Sequence, residues 1–125
     1  MTYVLVALGS ALGGVARHGL SVLIAQRLGA GFPWGTIFVN VTGSFLIGLV
    51  AALTDARQNT QGTREFLMIG VLGGYTTFSA FSLQTLALLR EGRLLEATGN
   101  VAGSVVLCVA AVWLGFLAGS LIRSR

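Results

Sequence analysis

This chain of 125 residues has no lysine and little acid, only Asp55, Glu65, Glu91 and Glu96. Cysteine, histidine and proline occur once each, as Cys108, His18 and Pro33. A lone thiol excludes an internal disulfide, and one cysteine with one histidine gives too few ligands for a transition-metal site. Charged residues make up 10% of the chain against 54% hydrophobic ones, too few polar side chains to cover a soluble domain of this size. The eight cationic residues are all arginines and form no cluster. That argues against nucleic acid as a partner, because a phosphate-binding surface needs a continuous basic patch.

What the chain has instead is long uncharged runs. Leu28 to Thr54, Phe66 to Leu89 and Ala97 to Ile122 carry no charge, and each exceeds the roughly 20 helical residues that cross a hydrocarbon core. A fourth run opens with Met1 to Ala16 and continues apolar past Arg17 and His18 to Gln26. It lacks a basic leader and a small-residue cleavage pattern, so it is expected to stay as a span rather than be removed as a signal peptide. The expected fold is an all-α, multi-pass protein of the cell membrane. A single transmembrane domain covers 1–125, with four helices near 2–26, 34–53, 66–89 and 96–122 joined by short polar connections.

Arginine reports orientation in such a chain. If the four helices alternate, Arg57, Arg64, Arg123 and Arg125 share one side of the bilayer, and Arg27, Arg90 and Arg93 share the other. An excess of basic residues on the cytoplasmic side fixes topology, so four against three leaves insertion almost unbiased. The expectation is dual topology with an antiparallel homodimer as its product. Glycines at four-residue spacing (Gly9/Gly13, Gly70/Gly74, Gly99/Gly103 and Gly115/Gly119) add close helix packing, because small residues let backbones approach in lipid.

The third run carries the stretch GGYTTFSAF, Gly73 to Phe81. Adjacent glycines followed by Thr76 and Thr77 weaken a helix where lipid makes a break costly. Such a break is tolerated only in a protein-buried or cavity-lining place, where freed carbonyls can meet a cation. The spans as read contain no Asp or Glu, with all four acids in connections or at helix ends, which disfavours coupling to protons. They do hold neutral donors, among them Thr36, Asn40, Ser44, Ser79 and Ser104, and one positive charge, Arg17. That lining suits an anion. Phe78 and Phe81, at i and i+3, add ring edges that carry the positive end of the aromatic quadrupole.

GGYTTFSAF resembles the GG-x-TTFSTF signature of the Fluc/CrcB fluoride channels. Trp34 to Gly48, WGTIFVNVTGSFLIG, is similar to the family's WGT-xx-VN-xx-GSFLIG, and Gly13 to Arg17, GGVAR, to its first-helix GG-xx-R. The resemblance touches every span. It implies a channel rather than an enzyme: a passive fluoride exit that lowers cytoplasmic fluoride, built as an antiparallel homodimer in the bilayer. It further implies two pores and a central sodium ion held by backbone carbonyls, here those of Gly73 and Thr76. Phe78, Phe81 and Asn40 match the family's pore residues, and Arg17 its first-helix arginine near a vestibule. Ala80 stands where the family usually has threonine, and Asn100, Ser104 and Cys108 align with a polar track on the fourth helix. Two other readings fit parts of this pattern. A small dual-topology multidrug exporter shares length and charge balance but uses an acid in its first helix, and this first helix has none. A nonconducting assembly subunit accounts for the glycine pairs and leaves the polar centre of GGYTTFSAF unexplained.

Overall fold

The computed structural model describes residues 1–54 and 61–124; Asp55, Arg57 and Arg125 lie outside them. Among the described residues, four helices are long and apolar enough to cross a membrane: Thr2–Leu28, Trp34–Leu53, Gln61–Arg90 and Leu94–Arg123, with mean hydropathy of 1.3, 2.0, 1.5 and 2.5. Among the described residues there is no strand. Gly29 at φ 85° ends the first span and Gly92 at φ 74° lies just past the third. Both are conformations that glycine adopts without steric cost. The third and fourth spans begin before the expected 66 and 96, so Glu65 and Glu96, read from the sequence as helix-end residues, lie inside helical structure. Glu65 is buried, at 7% exposure.

Two helix pairs organise the bundle. The second span packs along the fourth, and the first along the N-terminal half of the third. Small residues set both approaches. A Cβ on Gly74 would lie 2.6 Å from the Ser10 carbonyl oxygen, and one on Gly9 would lie 2.6 Å from that of Phe66. The Gly9/Gly13 pair thus faces the Gly70/Gly74 pair, while Gly115 and Gly119 sit against Phe45, Leu49 and Ala52 of the second span. Gly99 and Gly103 meet nothing within 4 Å. Only 11% to 28% of the most apolar window of each span is buried inside the chain, so most helix surface is left for lipid or a second subunit.

The third span is broken near its middle. It runs from Gln61–Arg64 through a π-helical stretch, Glu65–Leu72, to Gly73–Tyr75, and resumes as Phe78–Arg90. Between these halves Thr76 (φ −80°, ψ 157°) and Thr77 (φ −151°, ψ 121°) are extended. The break falls within the expected stretch and is narrowed to its two threonines. Gly73 keeps helical angles, φ −64° and ψ −39°, and Gly74 remains helical with it. The glycines serve packing against the first span, and the two β-branched threonines, which favour extended backbone, carry the interruption.

Candidate functional site

A break at membrane depth must satisfy the backbone groups it frees. The Thr76 N–H and its hydroxyl both donate to the Leu72 carbonyl, at 3.0 and 2.9 Å, ending the first half. Asn40 then takes both backbone groups of Thr77: its Oδ1 accepts from the Thr77 N–H at 2.8 Å and its Nδ2 donates to the Thr77 carbonyl at 2.9 Å. The Thr77 hydroxyl accepts from the Ala80 N–H at 3.2 Å, capping the second half.

These exchanges take helical donors away from carbonyls at the break, as happens at any helix end. In an unbroken helix the Thr77 N–H would serve the Gly73 carbonyl and the Ala80 N–H that of Thr76; here they go to Asn40 and to the Thr77 hydroxyl. Arg17 donates to the Thr76 carbonyl over a long 3.4 Å. The two oxygens that the resemblance assigns to sodium are thus among those that lose their helical donors at the break, and as hard, neutral ligands they fit an alkali cation.

Beside the break lies a cleft of about 380 Å³ lined by Asn40, Ser44 and Ile47 of the second span, Thr76, Thr77, Phe78 and Phe81 of the third, and Ser104, Val105, Cys108 and Val109 of the fourth. The lining follows helical spacing. Asn40, Ser44 and Ile47 fall at i, i+4 and i+7, and Ser104 and Cys108 at i and i+4. No lining residue is charged. The Phe78 and Phe81 rings lie 5.3 Å apart at 44°. Phe81 is 9% exposed and Phe78 is 78% exposed, so one ring is packed while the other stands open.

The polar groups of the cleft are unequal. Asn40 spends one Nδ2 proton on Thr77 and keeps the other. Ser104 donates to Asn100 Oδ1 at 3.4 Å, Asn100 donates to Thr85 at 2.9 Å, and Thr85 donates to the Phe81 carbonyl at 2.8 Å. This chain of bonds runs from the cleft wall into the protein, with Asn100 only 1% exposed. Of the residues singled out from the sequence, the cleft joins Asn40, Ser44, Thr76, Thr77, Phe78, Phe81, Ser104 and Cys108. Thr36 is buried elsewhere on the second span, and Ser79 is exposed with its hydroxyl 3.3 Å from that of Thr77. Arg17 reaches the break from the first span without lining the cleft.

A family model described as CrcB-like protein, Camphor Resistance (CrcB), matches residues 4–116. The chain belongs to the CrcB-like family. Among curated relatives it is 59% identical over 119 residues, 93% of this chain and 90% of the other, to a protein of Opitutus terrae named fluoride-specific ion channel FluC. Proteins of the same name from Paramagnetospirillum magneticum and Thermus thermophilus are 54% and 50% identical, covering 98% and 96% of this chain and 98% and 97% of their own. In this CrcB-like chain two further residues bear on the site, Thr85 and Tyr75. Thr85 continues the stripe of Phe78 and Phe81 by one helical turn, a spacing that could have drawn notice. The Tyr75 hydroxyl lies 2.9 Å from that of Thr42, a pairing across two helices that no local pattern announces.

Proposed function

We propose that this chain forms a fluoride channel, a passive route by which fluoride leaves the cell. The observation that carries the reading is the uncharged cleft at the break, where an amide, hydroxyls and two phenylalanine rings converge with no carboxylate to repel an anion. Relatives named as fluoride-specific channels, more than half identical over nearly the whole chain, support the same ion. Along such a route the spare Asn40 N–H and the hydroxyls donate hydrogen bonds to the anion. Ring edges of Phe78 and Phe81 add favourable electrostatics in place of the water that a narrow lining removes. Arg17, close to the break, raises the local anion concentration.

The working unit in this reading is an antiparallel homodimer. Its support is the near-equal arginine count on the two sides, the open Gly99/Gly103 face and the uncovered Phe78 ring. The freed Gly73 and Thr76 carbonyls of both subunits would hold a sodium ion, which supplies a structural bridge at the centre. The test is growth. Cells made fluoride-sensitive by loss of their own exit route should regain growth in fluoride medium when they express this chain. Continued sensitivity with the protein present in the membrane would contradict the reading.

A further inference from the structure

The Asn40–Thr77 pair is one side-chain anchor between the third span and the second. A second anchor lies two residues earlier. Tyr75 is 8% exposed, and its hydroxyl is 2.9 Å from the Thr42 hydroxyl. Thr42 donates to the Phe38 carbonyl at 2.8 Å, so in this pair the phenol is the donor and Thr42 accepts. Gly43 makes room for the break, since a Cβ there would clash with the Thr76 methyl and lie 3.0 Å from Tyr75 Cδ1. On the other side the first span closes in, and a Cβ on Gly13 would lie 2.8 Å from the Tyr75 backbone nitrogen.

Asn40 and Thr42 are two residues apart on a helix, so they point to different sides of the second span. The broken segment is therefore gripped at two points, by Asn40 on Thr77 and by Thr42 on Tyr75, with Gly43 giving the clearance. We infer that Tyr75 is a positioning residue for the cleft: its bond to Thr42 fixes the rotation of the break so that Phe78 and Phe81 face the cleft wall of the second and fourth spans. This inference rests on the cleft being the anion route.

Fluoride efflux from proteoliposomes tests the clasp in Tyr75→Phe, Thr42→Val, Thr42→Ser and the Tyr75→Phe/Thr42→Val double variant. Tyr75→Phe keeps the ring and leaves Thr42 its Phe38 partner, so the fold should survive, as an unchanged gel-filtration profile would record. Efflux is expected to fall about three- to tenfold in Tyr75→Phe and in Thr42→Val, the range that one interhelical hydrogen bond in a membrane spans. Thr42→Ser should restore the wild-type rate, and the double variant should be no slower than the slower single. Wild-type efflux from Tyr75→Phe, losses that multiply in the double variant, or a Thr42→Ser channel as slow as Thr42→Val would each overturn the inference. A wild-type protein that passes no fluoride would instead refute the channel reading itself.

Discussion

At the scale of single residues, Asn40 and the two phenylalanines are the sharpest test of what the cleft does. Asn40→Asp keeps the shape of the side chain, but it removes the donor to the Thr77 carbonyl and places negative charge in the cleft lining. A carboxylate in the lining repels a passing anion by about 4 kcal/mol at about 4 Å and an effective dielectric of about 20, so fluoride efflux should fall more than about a hundredfold. An efflux rate within twofold of wild type would remove Asn40 from the route. Phe78 and Phe81 differ in burial, and so should their variants. Phe81→Ile should lower stability by up to about 1.5 kcal/mol, as volume-conserving swaps do in packed cores, whereas Phe78→Ile at an exposed position should change it little. Both should slow efflux far more than they lower the thermal unfolding temperature. Proportional losses in the two measurements would assign both rings to packing. The candidates themselves were legible in the sequence, because polar and aromatic residues are conspicuous in an uncharged run. Their partners were not. That Asn40 holds the backbone of Thr77 depends on how two helices meet, and no spacing within either helix encodes it.

At the scale of helices, hydropathy runs made the spans legible, whereas their ends depended on local chemistry. The third span starts earlier than its uncharged run because Gln61–Arg64 adds a helical turn before it. The break was legible as a feature, but not which of its glycines and threonines carry it. Adjacent glycines weaken an isolated helix, yet here the first span packs onto Gly74 and holds it helical, so the interruption falls to Thr76 and Thr77. Glycine spacing also failed to separate packed faces from open ones. Gly74→Val should clash with the Ser10 backbone and cost about 1–3 kcal/mol in unfolding titrations, as overpacking does. Gly99→Val meets open space and should leave the stability of a single subunit within about 0.5 kcal/mol of wild type. If that face is the homodimer contact, Gly99→Val should weaken self-association, read by crosslinking across a dilution series. Equal losses of subunit stability in both variants would contradict this division of faces.

At the scale of the whole molecule, two of the proposals have direct tests: dual topology, proposed from the near balance of arginines, and a sodium site, proposed from the carbonyls at the break. A C-terminal reporter active on only one side of the membrane should give signal from both orientations of this chain, and activity from one orientation alone would contradict dual topology. If the freed Gly73 and Thr76 carbonyls bind sodium between subunits, replacing sodium by a large organic cation should loosen the dimer, and a dimer indifferent to the exchange would refute the site. Neither of these decides whether the cleft carries fluoride. The direct measurement is passive efflux from liposomes that hold the purified protein, followed with a fluoride electrode in one set and a chloride electrode in another, with no proton gradient imposed. Fluoride should leave rapidly while chloride is retained, and protein-free liposomes should keep both. Fluoride retention equal to that of protein-free liposomes, or release only when a proton gradient is applied, would contradict a passive fluoride channel.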